Sequence, residues 1–275
     1  MKIVSFNVNS VRMRLHQLDA LKSELHPAIV GLQETKVQDH EFPVKDLEKL
    51  GYQSVFMGQK THYGVALMFD PDQVTLTDCQ YGWDHDTEEA QKRMIIGTFT
   101  TPGGETLKVL NGYFPQGENR SHPTKFPAKE KFYQDLMDYL NTQCSPDENL
   151  IVMGDFNISP EDRDIGIGEP NRKRWLRDGK TSFLPEEREW WQTLIGWGLK
   201  DSFRQIHPDE DRTFSWFDYR SRGFQAEPKR GLRIDTLLAT PGLVKKAIDS
   251  GVCYDIRGME KPSDHAPVWT DFALN

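Results

Sequence analysis

Cysteine is scarce in this chain: Cys79, Cys144 and Cys253 are the only three in 275 residues, widely spaced and with no Cys-x-x-Cys. Such spacing supports neither a disulfide framework nor a thiolate zinc site and fits a reducing compartment. Long apolar runs are missing too. No segment approaches the roughly 18 apolar residues of a membrane span, and the opening Met1-Lys2-Ile3-Val4-Ser5-Phe6-Asn7 turns polar too soon for a secretory signal core. A cytoplasmic protein without a membrane partner is expected. Gly/Ser linkers and low-complexity tracts are absent, so a single domain over residues 1–275 is expected, large enough for one extended core. No Walker loop, dinucleotide fingerprint, Gly-x-Ser-x-Gly elbow or His-Glu-x-x-His helix occurs, so neither nucleotide cofactors nor zinc are indicated.

An excess of positive charge is also lacking. With 34 Lys and Arg against 42 Asp and Glu, the net charge of −8 counts, as a total, against a nucleic-acid partner. Local charge reads differently. Between Asn171 and Lys180, Arg172, Lys173, Arg174, Arg177 and Lys180 face only Asp178, with Trp175 among them. Between Arg212 and Arg233, six bases stand against Asp218 and Glu227, interleaved with Phe214, Trp216, Phe217, Tyr219 and Phe224. Mixed bases and aromatics are what a groove needs to hold a phosphate backbone and stack on or displace bases; solvated loops over a core edge are the plainer alternative.

Short β-branched runs recur along the chain: Ile3 to Val8, Ala28 to Leu32, Gln53 to Met57, Gly64 to Phe69, Met94 to Phe99, Leu107 to Phe114, Leu150 to Gly154, Ile234 to Ala239 and Val268 to Phe272. Helical patterns cover Val11 to Glu24, Pro43 to Leu50, Ala128 to Gln143 and Pro185 to Trp197, two of them opening on a proline that suits a first helical position. Strands outnumber helices, which are dispersed between strand clusters. This predicts an α/β fold, a four-layer α/β sandwich of two packed mixed β-sheets flanked by helices. Two apolar runs, Ile3 to Asn7 and Leu150 to Asn157, both end in Phe-Asn, a short internal echo that would bring two strand ends to one edge.

Several polar residues stand where strands leave the core. Glu34 follows the apolar run Ala28 to Leu32 and reads either as a loop-start surface residue or as a ligand for a hard cation. Asp155 and Asn157 follow Leu150 to Met153 at alternate positions. Period-2 geometry would point them to one face with Phe156 opposed; a local turn bonded by Asp and Asn is the alternative. Asp235 lies in the apolar run Ile234 to Ala239, where an unpaired carboxylate would cost several kcal/mol, so it needs a partner. His265 is a candidate, because a carboxylate fixes the imidazole tautomer and favours the protonated form that holds a phosphate oxygen. Asp264 and His265, adjacent in an extended segment, should diverge, one toward a metal and one toward a phosphate. Tyr113, where a strand runs into Pro115 and Gly117, could donate its hydroxyl to a phosphate oxygen.

Taken in order, Ser5-Phe6-Asn7, Leu32-Gln33-Glu34-Thr35-Lys36, Gly112-Tyr113-Phe114-Pro115, Gly154-Asp155-Phe156-Asn157, Gly231-Leu232-Arg233-Ile234-Asp235 and Ser263-Asp264-His265-Ala266-Pro267-Val268 resemble the motifs of the exonuclease III family of AP endonucleases, within the endonuclease/exonuclease/phosphatase superfamily. The resemblance spans nearly the whole chain and implies a four-layer sandwich and a Mg²⁺ or Mn²⁺ cofactor. It also implies cleavage 5′ to abasic sites in duplex DNA, with 3′-to-5′ exonuclease and 3′-end phosphodiesterase or phosphatase activity. By that likeness Glu34 binds metal with Asn7 and Asp264, Asp155 with Asn157 activates or orients water, and His265, paired with Asp235, contacts the phosphate together with Tyr113. Trp216, Phe217 and Leu232 match positions near a lesion pocket, with Phe214 a competitor for the place of Trp216. Arg93, Gln116, Lys125, Arg172, Lys173 and Arg174 are expected DNA contacts. Ser10 stands where many relatives have Gly, and Asn9 where some have Asp. The partner implied is duplex DNA with abasic sites or blocked 3′ ends, and a monomer is expected. The same acids and His would equally serve a phosphoesterase on an inositol phosphate or phospholipid, which the basic, aromatic stretches do not favour; a non-catalytic scaffold would be expected to have lost them.

Overall fold

The computed structural model describes residues 1–274. Along the chain the strands are β1 (Lys2–Asn7), β2 (Ile29–Gln33), β3 (Gln53–Met57), β4 (Val65–Phe69), β5 (Thr75–Tyr81), β6 (Met94–Thr100), β7 (Thr106–Tyr113), β8 (Leu150–Asp155), β9 (Lys200–Asp201), β10 (Asp235–Ala239), β11 (Ala247–Val252) and β12 (Val268–Phe272). The helices are α1 (Leu15–Leu25), α2 (Val44–Lys49), α3 (Lys125–Gln143), α4 (Glu169–Arg177), α5 (Pro185–Trp197), α6 (Ser202–Ile206), α7 (Pro241–Val244) and α8 (Tyr254–Arg257).

Two six-stranded sheets result, ordered β11-β12-β1-β2-β4-β3 and β9-β10-β8-β7-β6-β5. Their neighbours follow one pattern: a single parallel pair, β1 with β2 and β7 with β8, flanked on both sides by antiparallel pairs. The Phe-Asn echo thus marks equivalent places in two similar sheets. Between the sheets lies a core that includes Ile3, Leu67, Phe99, Val109, Ile151 and Leu237. A second core packs α3 and α5 onto the outer face of one sheet through Phe132, Leu136, Trp191 and Leu194; a third packs α1 and α2 onto the other through Leu18, Leu21 and Leu47. Helix, sheet, sheet, helix is the expected four-layer order. Among the described residues no helix is long and apolar enough to cross a membrane.

The helix expected over Val11 to Glu24 is broken. Asn9 and Ser10 have φ of 43° and 87°, and the chain hangs on the end of β2 through Ser10 N–H to Glu34 O and Val11 N–H to Thr35 O. A short 3₁₀ turn follows, and regular helix begins only at Leu15. Helix α3 starts three residues before the expected Ala128. Pro127 falls within its first turn, where a missing N–H costs nothing.

Candidate active site

The chemistry-bearing residues emerge from strand ends on one rim of the sandwich. In the sheet register Asp155, last in β8, lies directly opposite Asp235, first in β10, and beside Tyr113, last in β7. Paired positions share a face, so three polar groups stand in a row. Gly154, just before Asp155, has φ of 145°, and a Cβ there would lie 1.9 Å from the carbonyl oxygen of Gly112; only glycine lets β7 and β8 approach so closely. Glu34, just past β2, and Asn7, last in β1, come from the other sheet. Asn7 joins the two, its Nδ2 donating to Glu34 Oε1 at 2.9 Å and to Asp155 Oδ2 at 3.0 Å.

His265 is buried and lies between two carboxylates. Its Nδ1 sits 2.8 Å from Asp235 Oδ2, and its Nε2 is 3.7 Å from Asp155 Oδ2. Burial works against the imidazolium, but Asp235 and then Asp155 outweigh it and push the pKa up to about 10. Burial, reinforced by Asp235 and Glu34 and opposed by His265, pushes the Asp155 carboxyl up to about 7. Burial also tends to raise Glu34, but Lys36 Nζ at 2.8 Å and the Asn7 amide hold it below its ordinary value. Burial and the nearby Glu34 raise the Tyr113 phenol, which therefore remains an O–H donor. Asp264 accepts from Asn9 Nδ2 at 2.9 Å and Trp216 Nε1 at 3.0 Å. With His265 these bonds overcome burial and keep its carboxyl low.

One ligand atom each from Glu34, Asp155 and His265 lie within 4.8 Å of one another. Two carboxylate oxygens in a crowded acidic pocket suit a hard divalent cation. A protonated His265 has no lone pair to offer, so the carboxylates are the fitting ligands. Asn7 turns its amide nitrogen, not its oxygen, toward them; its Oδ1 accepts from Asn9 N–H at 3.0 Å.

These groups line a pocket of about 190 Å³ that also contains Gln116, Asn157, Trp216, Leu232 and Asp264. Asn7 and Asp235 sit behind the groups they support. Asn157 does not continue the strand. Its φ of 53° and its N–H to Asp155 Oδ1 bond of 3.0 Å form the local Asp/Asn turn, so period-2 alternation does not apply. Arg93 lies behind Tyr113, its guanidinium 4.4 Å and 4.6 Å from the rings of Tyr63 and Tyr113. Lys125 is exposed and paired with Glu118 at 2.5 Å. Arg172 and Lys173 lean on Asp162 and Glu169.

A neighbouring cleft of about 370 Å³ draws together both basic stretches, with Arg174, Arg220 and Arg230 on its walls, and shares Trp175, Lys180 and Trp216 with the first pocket. Trp175 and Lys180 come from the first basic stretch, whereas Ser182 and Ile234 at the pocket, and Tyr63 behind it, were not expected there. Lys180 stands 3.7 Å over the Trp175 ring, which stacks on Phe183. The interleaving of bases and aromatics was the signal, but it did not say which aromatics face the groove. Phe214 and Phe217 do not. Phe214 packs so tightly on Gly166 that a Cβ there would meet its ring at 2.1 Å, and Phe217 is fully buried against Phe224 and Tyr254. Both serve as packing beneath the loop that presents Trp216.

The sequence profile of the Endonuclease/Exonuclease/phosphatase family matches residues 4–265. The chain is 53% identical over 272 residues to the Exodeoxyribonuclease III of Haemophilus influenzae, covering 99% of this chain and all of that protein. In structure it resembles a variant of the 3′ phosphatase NExo from Neisseria bound to a product DNA hairpin (TM-score 0.87, 35% identity) and an AP endonuclease from Archaeoglobus fulgidus (TM-score 0.88, 32% identity), each covering the whole of both chains. The chain belongs to the endonuclease/exonuclease/phosphatase family.

Proposed function

We propose that this protein is a metal-dependent DNA repair nuclease that cleaves the backbone 5′ to abasic sites and processes duplex 3′ ends as exonuclease, phosphodiesterase and phosphatase. The observation that carries the reading is the convergence of Glu34, Asp155 and His265 in a pocket continuous with a basic, aromatic cleft. Relatives at 53% and 35% identity named as Exodeoxyribonuclease III and as a 3′ phosphatase bound to DNA support it. An inositol phosphate or phospholipid would leave that cleft without a purpose.

Glu34 and the facing edge of Asp155 would hold a divalent cation, Mg²⁺ or Mn²⁺, with Asp264 nearby. When bound, such an ion polarises the phosphate and neutralises the departing 3′ oxygen. Asp155 positions the attacking water and accepts its proton. His265, held charged by Asp235, and the Tyr113 hydroxyl stabilise the negative charge that builds on the phosphoryl oxygens. Lys180 and Arg174 neutralise neighbouring phosphates. Selectivity for an abasic nucleotide follows from stacking energy: a sugar with no base is cheap to extrude, and Trp216, Leu232 and Ile234 offer it an apolar wall. We read the chain as a monomer working in the cytoplasm, consistent with three free cysteines.

The test is a labelled duplex with one central abasic analogue and an intact control, each with Mg²⁺, Mn²⁺ or a chelator. Metal-dependent nicking immediately 5′ to the gap is expected. Nicking undiminished by chelation, or none with either metal, would overturn the reading.

A further inference from the structure

Asp155 is aimed by a loop whose backbone turns through the left-handed region. Asn157 sits in the left-handed region at φ 53°, which asparagine tolerates better than other L-residues but at a cost that its surroundings must offset. Its N–H bonds Asp155 Oδ1 at 3.0 Å, so any relaxation of Asn157 re-aims the carboxylate. Two side chains of α3, four residues apart and so on one helix face, grip consecutive carbonyls of this loop. Tyr133 donates its hydroxyl to Phe156 O at 2.7 Å, and Lys129 Nζ donates to Asn157 O at 2.8 Å.

Lys129 is fully buried, and its charge is met by Glu187 of α5, equally buried, at 2.5 Å. The second oxygen of Glu187 accepts the N–H groups of Ser182 and Leu184, both at 2.8 Å. One ion pair therefore secures two segments that reach the pocket, through Asn157 and Ser182. Buried pairs are an inefficient source of stability, since apolar groups of similar volume often serve as well or better. Placing one beneath a reacting carboxylate makes sense if geometry is what it supplies.

We propose that Lys129 and Tyr133, with Glu187 as counter-ion, are positioning residues that set the Asp155–Asn157 loop for hydrolysis. The inference rests on the nuclease reading above. Neither α3 residue lines the pocket, so they act through the loop and not on the substrate.

Two variants test it on the full chain: Tyr133→Phe, which removes only the hydroxyl, and Lys129→Met combined with Glu187→Gln, which discharges the pair while keeping an acceptor for Ser182 and Leu184. Thermal midpoint, duplex Kd, KM and kcat are measured on the abasic duplex. Small misplacements of a reacting group cost up to about 100-fold. We expect kcat to fall roughly tenfold in Tyr133→Phe and about 10- to 100-fold in the double variant, with KM and Kd held within about twofold. Unchanged kcat in folded variants, or losses in kcat matched by losses in duplex affinity, would overturn the inference. If the double variant does not fold, Tyr133→Phe decides. A parent protein inactive on the duplex would remove the nuclease reading and this inference with it; a parent that cuts while both variants cut equally well removes the inference alone.

Discussion

In the proposed mechanism Asp155 and His265 divide the work at the scale of single residues. Each is buried, each has a perturbed pKa, and their polar atoms lie 3.7 Å apart. Asp155→Ala is expected to lower turnover by about 10²- to 10⁴-fold, the usual worth of a positioned base, while leaving duplex affinity intact; single-turnover cleavage and equilibrium binding separate the two effects. Asp235 was legible in advance because a carboxylate in an apolar strand demands a partner, and His265 Nδ1 is there at 2.8 Å. The roles of Phe214 and Phe217 were not legible. An aromatic in a basic stretch looks the same whether it stacks on a base or fills space under a loop; the close approach at Gly166 decides it for Phe214 and full burial against Phe224 and Tyr254 for Phe217.

The elements present these residues with unequal clarity in the sequence. Helix α5 runs over the expected Pro185 to Trp197 because proline marks its start and Trp191 and Leu194 give it a buried stripe. Helix α4 has no buried residue at all, so no apolar periodicity announced it. Strands β5 and β11 escaped for a related reason: as edge strands they expose much of their length and read as polar loops. Yet α4 and its following turn carry Arg174, Trp175 and Lys180 to the cleft. Replacing Arg174 and Lys180 together by alanine is expected to weaken duplex binding and to reduce the slope of log affinity against log salt by roughly 2, about 0.9 for each lost phosphate contact. Binding measured over a salt series checks this; an unchanged slope would place the DNA elsewhere.

Across the whole molecule, the loop holding the pocket's far wall is tied down by a buried charge network. Asp164 accepts from Arg233 at 2.6 Å and Arg204 at 2.5 Å, and Arg233 also reaches Asp201 at 2.7 Å. Burial tends to raise the Asp164 carboxyl, but the two arginines prevail and hold it below its ordinary 3.8. Because the unfolded carboxyl takes up its proton first as pH falls, this contribution is complete above about 4 and fades as pH drops through the depressed native value. Asp164→Asn, which leaves Arg233 buried without full compensation, is expected to cost about 3–5 kcal/mol near neutrality. The difference from the parent should narrow toward strongly acidic pH, as followed by denaturant unfolding across a pH series. The global architecture itself was readable, since apolar runs of strand length separated by dispersed helices leave few alternatives to packed sheets with helical covers.

Tyr113, Asp155 and Asp235 stand in one row across three neighbouring strands, whereas Trp175 stands on α4 and Lys180 and Trp216 on connecting segments. On the proposed reading, part of the hydrolytic machinery is thereby built on strand ends and the polymer-gripping groups lie outside the sheets. If that reading holds, descendants of this chain can exchange one damaged end or gap for another by redrafting the parts outside the sheets, while the strand ends continue to serve the same ester.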